Sequence, residues 1–334
     1  MKPPTIHHPR LVVAALVLAF ITIIWTWFVI FDSIHNLHMS YGVSFDTEYA
    51  QSLGLDPKEV FGTLVNDWNF KQVRISAHWN RVETLPGKYD FSELQYYLDE
   101  AEKNNVKVIV AIGNKTPRWP ECRPPAWLTE FSRESYMKYL RGYMLATVEN
   151  FKNHPALEMW QVENEPFLPF GKCLLLTKKE LSDEVALVKG VDSSHPILVA
   201  DSGELSTWYF TSKSADYFGT TLYRVVWNKY IGYWNYDWIP AVIYRWKMKL
   251  VGRPLDKAFV VELQAEPWSP NMGLKDLPVD EQKRSMNIIR LKKNIDFAQR
   301  IGVARTYLWG GEWWAWLRKN GYNEIPDYIS NLNH

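Results

Sequence analysis

Cysteine is scarce in this chain, with two residues, Cys122 and Cys173, among 334. Neither has another Cys or a His at metal-ligand spacing, so a zinc site has no support in the sequence. Excess charge is also missing: 38 Lys and Arg against 37 Asp and Glu leave a formal net charge of +1. That balance gives no electrostatic case for a nucleic-acid partner. No stretch is low in complexity, and no glycine-rich phosphate loop follows the first strand-like run, which continues as GVSFDTEYA. What is abundant is apolar and aromatic material: 47% of the residues are hydrophobic, with 17 Trp and 18 Tyr. This is enough for a sizeable core. Flat rings with polar tips suit sugar clefts, cores and membrane interfaces alike.

The longest apolar run is Leu11 to Phe31, LVVAALVLAFITIIWTWFVIF, without a charge or a proline. At the helical rise it reaches roughly 31 Å, the thickness of the hydrocarbon core. Lys2 and Arg10 precede it, and the next basic side chain is Lys58. This asymmetry keeps the N-terminus cytoplasmic and sends the remainder across the membrane. A cleaved signal peptide is the rival, but the run is long for one and FDSIHNLHMS has no A-x-A-like cleavage site. The expected division is a cytoplasmic tail over 1–10, a single transmembrane signal anchor over 11–31, a polar linker over 32–40 and one folded domain over 41–334. The localisation that follows is a single-pass membrane protein with its domain outside the cytoplasm.

After the linker, short β-branched or aromatic runs alternate with longer amphipathic segments, the pattern of βα units and a parallel sheet. Candidate strands are Tyr41–Phe45, Phe70–His78, Val106–Gly113, Leu157–Glu163, Pro196–Ala200, Asp216–Leu222, Ala258–Leu263 and Ala304–Trp309. Helical patterns between them include Pro57–Trp68, Phe91–Asn104, Arg133–Phe151, Lys178–Lys189 and Glu281–Arg300. Eight strands in about 290 residues predict an α/β chain forming one closed (β/α)8 (TIM) barrel. A doubly wound open sheet is the alternative, weakened by the missing phosphate loop.

Reactive side chains of such barrels sit at the C-terminal ends of the strands. The fourth candidate strand runs into Trp160-Gln161-Val162-Glu163-Asn164-Glu165-Pro166, and the seventh is Phe259-Val260-Val261-Glu262-Leu263. Two carboxylates on different strands can face each other across a sugar ring. Hydrolysis with retention needs that pair, one protonating the leaving oxygen and the other attacking C1.

WQVENEP followed by a glutamate on strand seven resembles the large clan of retaining glycosidases that includes glycoside hydrolase family 5 cellulases and mannanases. The QVENE run is also similar to β-galactosidases of that clan. The resemblance covers essentially Tyr41 to the C-terminus, and it implies Glu165 as acid/base and Glu262 as nucleophile. It further implies that Arg74 in VRISAHW bonds the nucleophile and holds it ionised, while Glu165 stays protonated. Asn164 resembles the residue that binds the sugar 2-hydroxyl, Tyr223 a tyrosine that touches the nucleophile, and Trp309 the platform under the cleaved sugar. Each also has a packing role open to it. The chain departs from the commoner pattern at strand three, where GNKTPRWPEC lacks the histidine of many clan members.

Other carboxylates compete. Glu163 shares a strand face with Glu165 one layer deeper and reads as a buried hydrogen-bonding group. Glu266 in QAEPW is the rival nucleophile or a sugar ligand, and Glu312 in WGGEWW is a further candidate. His78, Asp46, Glu48, Lys115, Trp119 and Glu121 fall in the first three loops at the same end, as subsite or structural residues. Cys122 and Cys173 lie in adjacent loops after strands three and four, close enough to predict a disulfide. The segment 223–250 is crowded with rings and ends in PAVIYRWKMKLVGR, a basic amphipathic helix. It reads as the sixth barrel helix behind a lid loop, or as a surface resting on the bilayer with Arg245, Lys247 and Lys249 near lipid phosphate.

Together these readings predict a membrane-anchored retaining β-glycosidase acting on a carbohydrate or glycoconjugate, without metal or organic cofactor. The alternatives are a transglycosylase using the same pair, a catalytically inactive glycan-binding barrel, and a membrane-tethered assembly protein.

Overall fold

The computed structural model describes residues 9–30, 38–129, 131–270 and 272–333. Eight parallel strands close a barrel: β1 (Ser40–Phe45), β2 (Gln72–Ser76), β3 (Lys107–Ile112), β4 (Leu157–Asn164), β5 (Ile197–Asp201), β6 (Tyr217–Leu222), β7 (Ala258–Gln264) and β8 (Arg305–Trp309). Each pairs with its sequence neighbours, and β1 closes the ring on β8 with Ser44 opposite Trp309. Every expected strand forms, with ends moved by at most one residue except at β2, where both ends move by two.

Strand alternation builds two apolar layers. Val43, Val73, Val110, Trp160, Val260 and Leu308 face outward into the helices and join the larger core. Ile109, Met159, Leu198, Ala200, Phe259, Val261 and Tyr307 fill the barrel interior. Gly42 is required there, because a Cβ would stand 2.6 Å from the Tyr307 ring. The interior is a packed core, so chemistry is confined to the strand ends.

The helices follow the expected pattern with two breaks. Arg133–Phe151 forms as one helix capped by Ser132, whose side chain accepts from the Ser135 amide. Lys178–Val191 opens on a capping box between Thr177 and Glu180. The helix starting at Pro57 passes into a π turn over Thr63–Asp67. The expected helix Glu281–Arg300 is instead a short turn, Val279–Gln282, and a separate helix, Ile288–Ile301, restarted by the Asn287 cap.

The loop after β6 carries a hairpin that alternation had not indicated, Val225–Asn228 paired with Gly232–Asn235. Tyr230, Ile231 and Trp234 on it are exposed. The helix Ala241–Leu250 follows as the sixth barrel helix. Lys247 does not face outward as the bilayer reading required: its Nζ donates to the Gly203 and Ser206 carbonyls and lies 3.7 Å over the Trp208 ring. Packing beneath the helix has taken up that charge.

The apolar N-terminal run forms a helix, α1 (Pro9–Ile30), touching the barrel where Trp25 meets Trp238 at 6.4 Å between ring centres. Its side chains are described from Leu11 to Trp27, and nearly all are exposed. That stretch reaches only about 26 Å. No helix of the described residues is long and apolar enough to cross a membrane. Residues 1–8 and 31–37, which hold most of the expected tail and linker and the end of the expected span, lie outside the described residues.

Candidate active site

Glu165 follows the last residue of β4 directly. Strict alternation places Gln161, Glu163 and Glu165 on the inner face, with Asn164 turned outward. The strand breaks that rule: its register against β5 shifts between Gln161 and Asn164, and Glu163 and Glu165 take φ of 65° and 49°. Positive φ at non-glycine residues is strain of the kind concentrated at functional sites. The irregularity turns Asn164 inward as well.

A bulge does the same for Glu262. Phe259 and Val261 point into the barrel and Val260 and Leu263 out of it, so alternation alone would send Glu262 out with Val260. Register shifts against both neighbours fall between Val260 and Glu262 or Leu263, and the extra residue re-aims the glutamate inward. Gly219 on β6 leaves room for this, since a Cβ there would meet Val261 at 2.7 Å.

Arg74, on β2, connects the two strand ends. Its Nη1 donates to Glu262 Oε1 and its Nη2 to Asn164 Oδ1, both at 2.8 Å. Its Nε donates to Gln161 Oε1 at 2.7 Å. Tyr223 donates its hydroxyl to Glu262 Oε2 at 2.8 Å, so both Glu262 carboxylate oxygens are oriented. Asn164 Oδ1 faces Arg74 and Gln161, leaving its amide nitrogen as the end that a ligand can use.

Glu165 has a different environment. Thr221 donates to its Oε1 at 3.0 Å, and Lys115 Nζ donates to its backbone carbonyl. Burial, then the charges of Glu262 and Glu121, push its carboxyl well above the usual value, against Lys115 and the Thr221 bond. A carboxyl held protonated beside an arginine-paired carboxylate is the acid–nucleophile asymmetry of a retaining glycosidase. Glu121 lies 2.9 Å from Lys115 Nζ and is itself pushed up to about 7, mainly by burial.

The remaining candidates fall into two groups. Glu163 accepts from the Asn114 and Lys115 amides and so shapes the loop after β3, the buried role expected of it. His78 is engaged at both ring nitrogens, by Asp46 at 2.8 Å and Thr116 at 3.2 Å. Burial would raise the Asp46 carboxyl, but His78, Arg123 and Arg118 together pull it below its usual value. Glu48 pairs with Arg123 at 2.8 Å. Glu266 and Glu312 both pair with Arg118, the latter at 3.0 Å. Arg118 also stacks 3.6 Å from the Tyr49 ring centre and 4.1 Å from that of Trp309. Trp309 therefore has a cation over its ring, where only a sugar had been expected.

Sequence reasoning passed over Gln161, Thr221 and Arg118. Gln161 carried a signal, its period-two relation to Glu163 and Glu165. Thr221 and Arg118 carried none, because their roles come from loops and strands distant in sequence. Cys122 and Cys173 are joined, with Cα atoms 5.2 Å apart, stapling the loops after β3 and β4. Around the mouth, Trp119, Phe170, Trp268 and Tyr223 form a chain of ring contacts at 5.4 to 6.3 Å.

No family model matches the sequence. A β-galactosidase of Arthrobacter sp. is 32% identical over 114 residues, 29% of this chain and 16% of that protein. A putative mannan endo-1,4-β-mannosidase of Arabidopsis thaliana is 24% identical over 177 residues, 46% of this chain and 41% of that protein. The matched stretches thus span less than half of either relative. Among solved structures, a β-galactosidase from Halorubrum lacusprofundi superposes with a TM-score of 0.56 at 14% identity, over 81% of this chain and 52% of that one. In sequence the chain is similar to β-galactosidases and mannanases, and in fold it is a (β/α)8 barrel of the kind found in retaining glycoside hydrolases.

Proposed function

We propose that the chain is a retaining glycoside hydrolase that cleaves β-glycosidic bonds by double displacement. The observation that carries this is the placement of Glu165 and Glu262 at one barrel mouth with opposite electrostatic settings, the first buried and kept protonated, the second gripped by Arg74 and Tyr223. Glu165 gives its proton to the leaving oxygen as Glu262 Oε attacks C1. The glycosyl–Glu262 ester is then hydrolysed by a water that surrenders its proton to Glu165. Asn164 supplies a donor for the sugar 2-hydroxyl. The chain's similarity to a β-galactosidase and a mannanase suggests a galactoside or mannoside substrate.

The test is turnover of aryl β-glycosides by wild type, Glu165→Gln and Glu262→Gln. Loss of at least about 10³-fold in Glu262→Gln is expected. Wild-type turnover by both variants would reject the mechanism.

Membrane anchoring through α1 belongs to the same proposal, with the barrel outside the cytoplasm. It is supported by the uncharged run Leu11–Phe31 and the exposed apolar side chains of α1. The Trp25–Trp238 contact sets one exposed ring of the loop after β6, Trp238, against that helix. Retention of the full chain in membranes after alkaline carbonate extraction is expected; release to the supernatant would overturn the anchor.

A further inference from the structure

Glu165 is aimed by a strained turn. Glu163 and Glu165 both hold left-handed backbone, with φ of 65° and 49°, and Asn164 lies between them. Strain of this kind at non-glycine residues persists only where the surroundings over-determine it. One residue of the loop after β3, Lys115, bonds to all three.

The Lys115 amide donates to Glu163 Oε2 at 2.8 Å, and its carbonyl accepts from the Asn164 amide at 2.8 Å. Its Nζ donates to the carbonyls of Glu165 at 3.1 Å and Leu168 at 3.0 Å. Those two residues close the turn that follows, the Leu168 amide donating to the Glu165 carbonyl at 3.0 Å. Glu121 Oε2 lies 2.9 Å from the same Nζ. Three oxygens thus surround a group that carries three hydrogens, and the side chain is 2% exposed.

This clamp has a fixed base. Lys115 forms a β-bridge with Cys122, whose disulfide to Cys173 ties the loops after β3 and β4 together. Gly113 leaves the space beneath, since a Cβ there would collide with the Glu163 carboxylate. A buried lysine needs partners in any fold, so burial alone would make Lys115 a packing residue. Its bonds, however, fall on Glu165 and on the two residues before it. Glu262 is held separately, by Arg74 and Tyr223.

We infer that Lys115 is the positioning residue for Glu165, holding the strained turn in the conformation that presents this carboxyl to the leaving oxygen. The inference rests on the glycosidase reading and adds a division of labour, in which the acid/base and the nucleophile are set by different side chains.

The experiment compares kcat/KM of the full chain, Lys115→Met and Lys115→Arg on phenyl and 2,4-dinitrophenyl β-D-galactosides and β-D-mannosides. A dinitrophenolate departs without a proton, whereas a phenolate needs one from the acid. Lys115→Met keeps the length of the stem and loses every donor. It should lower kcat/KM on the phenyl glycosides by about 10²-fold and on the dinitrophenyl glycosides by less than about three-fold. Lys115→Arg, which can still donate to the two carbonyls, should show the same split reduced to about ten-fold. Its split decides the matter if Lys115→Met does not fold. A merely structural role would lower both leaving groups alike, so equal losses, or none, would overturn the inference. Wild type inactive on all four glycosides would instead reject the glycosidase reading, and the inference with it.

Discussion

Arg74 lies 2.8 Å from Glu262, and the same guanidinium reaches Asn164, so one cation fixes the relation between β4 and β7. A planar fork can serve Gln161, Asn164 and Glu262 together, whereas an ammonium on a flexible stem cannot. Arg74→Lys is therefore expected to keep the barrel and the positive charge but lower kcat by about 10²-fold, the cost of a misplaced nucleophile. Steady-state kinetics with thermal melting separates this from unfolding.

The acid limb has its own control. Glu165 is raised first by burial and then by the negative charges of Glu262 and Glu121. The proposed mechanism needs the protonated form, so activity is expected to fall as pH rises through the Glu165 pKa. Glu121→Gln removes a like charge and frees Lys115, and both changes favour the ionised form of Glu165. The alkaline limb of kcat/KM should move to lower pH, by up to about one unit. A limb that stayed in place or moved upward would show that Glu121 does not act on Glu165.

Glu184 offers a stability test away from the reaction. It is fully buried beside Glu163, and burial, followed by the charge of Glu163 and a hydrogen bond to that carboxylate, raises it well above the usual value. The folded state then holds a proton that the unfolded state releases above about pH 4.5, so stability declines with rising pH. Glu184→Gln lacks this penalty. Its advantage over wild type should be near zero at pH 4 and grow by about 1.4 kcal/mol per pH unit above that, until the folded-state pKa is passed. Urea unfolding across pH measures it.

The Cys122–Cys173 bond closes a 51-residue separation. Chain-entropy arithmetic for such a loop gives about 4 kcal/mol as the ceiling of its contribution. Cys122→Ser, or reduction of the native chain, should lower the unfolding free energy by about 2–4 kcal/mol. Unchanged denaturation under reductant would mean that the two loops hold together without it.

The barrel was legible because hydrophobic alternation is a local property, and β1 to β8 follow it closely. The pair proposed as catalytic was suggested only by resemblance. By alternation alone Glu262 belongs outside with Val260, and the bulge that turns it in depends on space left by Gly219 on another strand. Arg118 was illegible for the same kind of reason: Pro117 and Trp119 beside it give no hint of Tyr49, Glu266 and Glu312. The alternative that set Lys247 against lipid failed because helical periodicity cannot show that carbonyls of Gly203 and Ser206 wait beneath it.

The central claim is that Glu262 is the nucleophile and Glu165 its acid/base partner. Incubation with 2,4-dinitrophenyl 2-deoxy-2-fluoro-β-D-galactoside and its manno counterpart, followed by peptide mapping by mass spectrometry, tests it most directly. A single fluoroglycosyl adduct on Glu262 is expected, absent in Glu262→Gln. An adduct on Glu266, or continued turnover of aryl glycosides by Glu262→Gln, would contradict it.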